Sequence, residues 1–277
     1  MARRPKTKQM LDYALKVLKD EHPMTVRQVF YQLVSRQVIE NKKSAYNAVS
    51  KLLVEARRSG EVEWDWIVDR LRVPLCVEQW TDIPDYMESV RQAYRRHVWQ
   101  DQPGYLEVWL EKDALSGIFN GVLSKYGVIL NIGRGYDGWT SLRNASQRFQ
   151  RVRRNDKTIL YFGDFDPSGE DMFYSLQKRL DWFGGHTELI KVAITPDDIA
   201  RYNIPTAKTK KSDSRQKAFV AKHGDRTAEL DALPPSVLRE RITTEVCKRM
   251  DMDAFAETQD QEDEDVRKLE RIVENCV

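Results

Sequence analysis

The fold turns on one stretch, Lys157-Thr158-Ile159-Leu160-Tyr161-Phe162-Gly163-Asp164-Phe165-Asp166-Pro167-Ser168-Gly169. Lys157 to Phe162 is a short apolar run of strand length, and a helix is expected from Glu170. Upstream, Tyr105 to Leu110 makes a similar run and ends in Glu111. Ala114, Leu115, Ile118, Phe119, Val122 and Leu123 form a helical stripe after it, and Gly127 to Ile132 makes a second strand. A helix is expected over Thr140 to Arg151, and a fourth strand over His186 to Ile194. Strands alternating with helices imply βαβ units, a parallel sheet and an α/β fold. Ligands bind beyond the carboxyl ends of such strands. Glu111 and the Asp164/Asp166 pair both fall there.

The chain holds three Asp-x-Asp triplets, and Asp251/Asp253 and Asp263/Asp265 belong to an acidic C-terminal stretch. Only Asp164/Asp166 directly follows an apolar strand. Asp166-Pro167 and Ser168-Gly169 are also turn formers, so a simple turn is the competing reading. A turn does not account for two strands ending in carboxylates. Grouped carboxylates repel one another unless a cation joins them, and Mg²⁺ suits the task. It takes one or two carboxylates, keeps several waters and accepts phosphate oxygens. Asp164, Asp166 and Glu111 are therefore the candidate metal ligands, with proton transfer as the other role for Glu111.

Before residue 60 the pattern is helical. Leu11, Ala14, Leu15 and Leu18 give one amphipathic stripe. Thr25 opens a second helix, and Gln28 three residues on completes a capping-box pattern. Val26, Val29, Phe30, Leu33 and Val34 form its apolar face. Ser44 is the expected cap of a third helix, with Val49, Leu52, Leu53 and Ala56 inward. Lys42, Lys43, Lys51, Arg57 and Arg58 lie on or beside it. Val62 to Val68 alternates like a hairpin strand. Three helices and a strand fit a winged helix-turn-helix, whose third helix enters the major groove; a protein-binding winged helix is the alternative. Tyr31 lies off the middle of its apolar stripe, at an expected exposed rim, with Arg27 at i−4 on the same face. Arg27 would hold a phosphate while the phenol attacks it; a packed tyrosine is the bland reading.

Net charge is +2, but its distribution is uneven. Residues 1–59 hold 13 basic against 5 acidic residues, and residues 251–277 hold 3 against 10. A basic first segment is the footprint of a phosphate-backbone binder, or else a solvated basic face. The acidic stretch reads as a solvated helix end or a disordered tail. Lys208 to Arg215 is basic and aperiodic, a DNA-contacting loop or a solvated one. Charged residues are 32% of the chain, and no run of about 18 apolar residues occurs, so no spanning helix is expected. The basic start has no apolar segment behind it, so no signal peptide is expected. Cys76, Cys247 and Cys276 are too scattered for zinc or a disulfide framework, which fits a reducing cytosol. The four histidines form no metal motif, and no P-loop is present.

Leu110-Glu111-Lys112-Asp113-Ala114, Gly133-Arg134-Gly135-Tyr136-Asp137 and Asp164-Phe165-Asp166-Pro167-Ser168-Gly169 together resemble a TOPRIM domain. More specifically, they resemble the A subunit of topoisomerase VI and its meiotic double-strand-break relative. In that family a winged helix precedes TOPRIM, and the nucleophilic tyrosine lies in a segment similar to Thr25-Val26-Arg27-Gln28-Val29-Phe30-Tyr31, where it matches Tyr31. Glu229-Leu230-Asp231-Ala232-Leu233-Pro234 more loosely resembles small phage and bacterial relatives.

The resemblance implies a winged-helix domain over 1–75, a linker over 76–104, a TOPRIM domain with its extension over 105–250 and an acidic tail over 251–277. It implies Mg²⁺-dependent transesterification of double-stranded DNA by Tyr31, with Arg27 and Glu111 assisting and Lys43, Lys51, Arg57 and Arg58 gripping the duplex. It further implies a homodimer, in which each tyrosine meets the other subunit's metal site, and a cytoplasmic, nucleoid-associated setting. The chain is shorter than the family's topoisomerase subunits and carries no ATPase domain, so strand passage would need a separate ATPase partner. A TOPRIM nuclease using water, with the winged helix only binding DNA, is the alternative. A non-catalytic DNA-binding protein is the second alternative.

Overall fold

A computed structural model describes residues 4–68, 77–133 and 138–274. Residues 134–137 of the Gly133–Asp137 motif, Cys76 and Cys276 lie outside the described residues. The elements run α1 (Pro5–Glu21), α2 (Val26–Ser35), α3 (Lys43–Arg58), α4 (Ile83–Ala93), β1 (Tyr105–Leu110), α5 (Ser116–Leu123), β2 (Ile129–Ile132), α6 (Trp139–Arg151), β3 (Lys157–Phe162), α7 (Pro167–Trp182), β4 (Glu188–Ala193), α8 (Pro196–Arg201), α9 (Gln216–His223), α10 (Pro235–Cys247) and α11 (Met252–Glu274). Among the described residues, no helix is long and apolar enough to cross a membrane.

The four strands form one parallel sheet in the order β2-β1-β3-β4, as the alternation of elements predicts. Leu110 pairs with both Ile132 and Phe162, so β1, β2 and β3 end level. The pleat sends alternate residues to opposite faces. Leu106, Val108 and Leu110 of β1 bury against one hydrophobic cluster with α5 and α10. Trp109, Ile159 and Tyr161 bury on the other face with Leu142 and Phe149 of α6 and Leu176 and Leu180 of α7. Glu107 also faces that side and is fully buried. Its two oxygens accept bonds from Arg148 at 2.9 Å each, which satisfies an otherwise costly charge. Buried residues of α1, α2 and α3 belong to the same cluster as the α5/α10 face.

The capping box at Thr25 and Gln28 is present, and Val49, Leu52, Leu53 and Ala56 of α3 are buried as the spacing requires. Other expectations are corrected. Val62 to Val68 is not a hairpin strand. Trp64–Trp66 is a 3₁₀ turn, and Ile67 makes only an isolated bridge to Met24. The turn lets Val62 and Ile67 both point inward while Trp64 stays outside under the Arg57 guanidinium. Ser44 does not cap α3, which starts at Lys43 after Lys42 with no side-chain cap. The helix after β3 starts at Pro167, not Glu170, because Asp166 caps it.

The segment 76–104 holds α4, and the acidic stretch is helical in α11. The two are joined by charge. Arg96 meets Asp265 at 2.8 Å, Arg91 meets Glu270 at 3.2 Å, and the Tyr94 hydroxyl donates to Asp265 at 2.8 Å. Phe255 adds a buried anchor at the start of α11.

Candidate functional site

Level strand ends bring the first and third strands' trailing residues together. Glu111 N–H donates to the Phe162 carbonyl at 2.9 Å, and the Asp164 N–H donates to Glu111 Oε2 at 2.9 Å. Gly163 makes this approach possible, since a Cβ there would lie 2.5 Å from Glu111 Oε2. Gly169 serves the neighbouring turn, where a Cβ would meet the Asp164 carbonyl oxygen at 2.5 Å. Asp166 has a structural duty, its Oδ1 accepting from the Gly169 N–H at 2.6 Å at the start of α7.

Asp164 is buried and engaged on both oxygens. Oδ1 accepts from the Leu230 N–H at 2.8 Å, and Oδ2 lies 2.9 Å from Lys112 Nζ. Lys112 also lies 2.9 Å from Glu229 and from Asp231. Asp231 is fully buried, on a 3₁₀ turn at Leu230–Ala232 that packs against α2. Arg27 of α2 closes the network, its Nε 2.9 Å from Asp231 and its Nη2 on Glu229. Two cations thus share the same two carboxylates, one interior and one facing the surface.

Tyr31 follows one helical turn after Arg27. The guanidinium lies 5.5 Å from the ring centre, and Nη2 is 3.5 Å from the hydroxyl. The expected exposed rim is corrected here: Tyr31 is only 6% exposed, because Phe30 and the apolar core enclose its ring. A hollow of ≈ 230 Å³ is lined by Tyr31, Asn41, Asp164, Asp166, Lys208 and Lys210, among others. A second, of ≈ 240 Å³, is lined by Arg27, Tyr31, Asn41, Lys42, Lys43 and Glu229, among others. Tyr31 and Glu229 stand in the walls of both.

The electrostatics follow from crowding. Burial and then the neighbouring Asp164 push the Glu111 carboxyl up to about 7. Burial raises Asp164 as well, against the pull of Lys112. Burial raises the Tyr31 phenol, while Arg27 and Lys112 oppose the rise. For Lys112 and Arg27, burial works against the charge, but Asp231 foremost outweighs it, and both are held more firmly protonated than usual. Asp231 Oδ1 is buried with no hydrogen-bond partner.

The donor type of Glu111, Asp164 and Asp166 is that of a hard divalent cation, while Lys112 already stands on one Asp164 oxygen. All three are oxygen donors, and burial together with the neighbouring Asp164 raises Glu111, a crowding that a cation would relieve. Among the described residues no three His, Cys, Asp or Glu side chains come together as one metal-holding group. Mg²⁺ needs only one or two carboxylates beside its waters and phosphate oxygens.

Of the predicted DNA-binding residues, Lys43 lines the second hollow. Lys51, Arg57 and Arg58 lie farther along α3, about 12 Å and 21 Å or more from Lys43 by helical rise. Lys112, Glu229 and Asp231 fall inside the sequence motifs, yet sequence reasoning assigns them no role. Their signal was two charged triplets, Glu111-Lys112-Asp113 and Glu229-Leu230-Asp231, without a stated partner. Comparison with protein-family models and with curated proteins gives no match.

Proposed function

We propose that this chain is a winged-helix and TOPRIM protein that cuts double-stranded DNA by Mg²⁺-dependent transesterification, with Tyr31 as the nucleophile. One observation carries the reading: Tyr31 lines the same hollow as Asp164 and Asp166. Tyr31 and two of the strand-end carboxylates, Asp164 and Asp166, therefore border one volume within a single chain, where the resemblance implies a pairing across two subunits. Lys208 and Lys210 on its wall and Lys42 and Lys43 beside it add positive charge suited to a phosphate backbone.

In this reading the Tyr31 oxygen forms a new bond to phosphorus while the bond to the 3′-oxygen breaks, leaving a 5′-phosphotyrosyl link. The phenolic proton leaves to solvent, and the departing 3′-oxygen takes one from Glu111. A carboxyl held up to about 7 is still partly protonated at neutral pH, as a general acid must be. Arg27 and Lys112 supply fixed positive charge beside the phenol and lower the cost of its ionisation. Asp164 and Asp166 would hold Mg²⁺, which when bound would neutralise charge on the phosphate and the leaving oxygen; Glu111 would complete that set only in the alternative in which it is ionised and solvent supplies the proton. A homodimer would place two such cuts on opposite strands, and strand passage would require an ATPase partner.

A second reading has its own support. Tyr31 is nearly enclosed, and burial holds its phenol protonated. A water molecule in the hollow would then attack instead, with the carboxylates unchanged in role. Plasmid incubation with Mg²⁺ and detergent quenching separates the two. Tyr31→Phe abolishes cutting and adduct under the first reading and leaves cutting intact under the second.

A further inference from the structure

The cation pair beside Tyr31 is already occupied by an anion from within the chain. Arg27 and Lys112 both bind Glu229 Oε2 and both bind Asp231 Oδ2. The two carboxylates are not equivalent. Asp231 has a fully buried side chain and forms the floor. Glu229 has a side chain 38% exposed and lies in the walls of both hollows, between the pair and solvent. Arg27 has a side chain 44% exposed on that same outward side.

A carboxylate oxygen shared by a guanidinium and an ammonium has the geometry of a phosphate oxygen bound by the same groups. The Glu229 side chain is part-exposed and can be replaced by solvent or another anion, whereas Asp231 is fully buried and stays with both cations. We infer that Arg27 and Lys112 form a phosphate-binding pair which Glu229 caps in the free chain, and that a phosphate group enters by displacing Glu229. The inference rests on the phosphodiester-cleaving reading of this hollow and adds an internal competitor to it. Glu229 screens the pair from stray anions, and a ligand bound by several phosphates at once, on Lys42, Lys43, Lys208 and Lys210, can displace it. Displacement also takes a negative charge away from the space in front of Tyr31.

The probe is inorganic pyrophosphate, titrated calorimetrically into the full chain at low salt in EDTA. Glu229→Gln is expected to bind it about tenfold tighter than the wild type, because one like charge in direct contact is removed. Glu257→Gln, an exposed site on α11 with the same change in net charge, is expected to match the wild type. Adding Arg27→Gln to Glu229→Gln is expected to abolish the gain. Glu229→Ala repeats the test with a side chain that cannot hydrogen-bond the pair. Equal affinities for the wild type and both Glu229 variants, or an equal gain in Glu257→Gln, would overturn the cap. A short duplex measured by fluorescence anisotropy separates this inference from the one beneath it. Tighter pyrophosphate and tighter duplex support both. Tighter pyrophosphate with no duplex binding in any variant keeps the cap and removes DNA as the substrate.

Discussion

Lys112→Met tests whether the site is held together by one buried ammonium. Lys112 Nζ lies 2.9 Å from Asp164, Glu229 and Asp231, and its side chain is 17% exposed. Methionine keeps most of the stem's volume and removes the charge. Asp231, fully buried, is left with Arg27 alone, and Asp164, 12% exposed, keeps only the Leu230 N–H on its other oxygen. Breaking a buried ion pair from one side costs about 3–5 kcal/mol, since the remaining charge stays desolvated. Glu229 is exposed enough for water to replace the lysine, so it adds little. At about 2–4 °C per kcal/mol for a chain of this size class, the melting temperature should fall by roughly 6–20 °C at neutral pH.

The deficit has a defined pH dependence. Burial already raises Asp164 in the folded chain, and losing Lys112 raises it further. A carboxyl with a raised folded value binds its proton more tightly when folded. Stability therefore falls as pH rises from the ordinary carboxylate range, about 4, through that raised value. The Lys112→Met deficit should be largest near pH 7 and shrink toward pH 4. Adding Asp231→Asn should restore part of the loss, giving a coupling of about 1–3 kcal/mol in a double-mutant cycle. Thermal and urea melts at both pH values supply every quantity. A Lys112→Met melt within about 1 kcal/mol of wild type, or full additivity with Asp231→Asn, would refute the argument.

Glu111→Gln should stabilise the chain by about 1–3 kcal/mol at pH 8 and by little below pH 4.5, because the proton taken up between the ordinary value and about 7 is no longer needed; urea melts across that range check it, and a pH-independent difference counts against it. Thr25→Ala should cost about 1 kcal/mol by removing the cap of the helix that carries Arg27 and Tyr31, which chemical denaturation measures. Lys208→Ala with Lys210→Ala should weaken duplex binding and flatten its salt slope by about one unit for each phosphate no longer neutralised; an unchanged slope in salt-titrated anisotropy removes that loop from the interface.

The parallel sheet was legible in the sequence because its signal is local. Tyr105–Leu110 and Lys157–Phe162 are apolar runs bounded by charged or turn-forming residues, and both strands occupy those residues. Their level ends follow from register, which put Glu111 beside Asp164. Local patterns failed where a distant partner decides. Nothing near Lys112 indicates Asp231, 119 residues away, and nothing near Arg27 indicates Glu229, 202 residues away. The acidic run at 262–265 reads as solvated on its own, yet Arg96 and Tyr94 on the segment after α4 hold it. The alternation at Val62 to Val68 misled because Trp64 finds a partner outside, the Arg57 guanidinium, instead of alternating inward. Helical angle alone puts Tyr31 at the rim, because it takes no account of Phe30 and the apolar core that enclose the ring.

The measurement that tests the central claim most directly is a search for a covalent link between Tyr31 and DNA. Supercoiled plasmid and the full chain are incubated with Mg²⁺, quenched with detergent and nuclease-trimmed, and the tryptic peptide carrying Tyr31 is analysed by mass spectrometry. The account predicts a nucleotide-sized mass increment on Tyr31 that vanishes in EDTA and in Asp164→Asn. Cutting of the plasmid by the wild type and by Tyr31→Phe alike, with no increment on that peptide, would contradict it and leave water as the nucleophile.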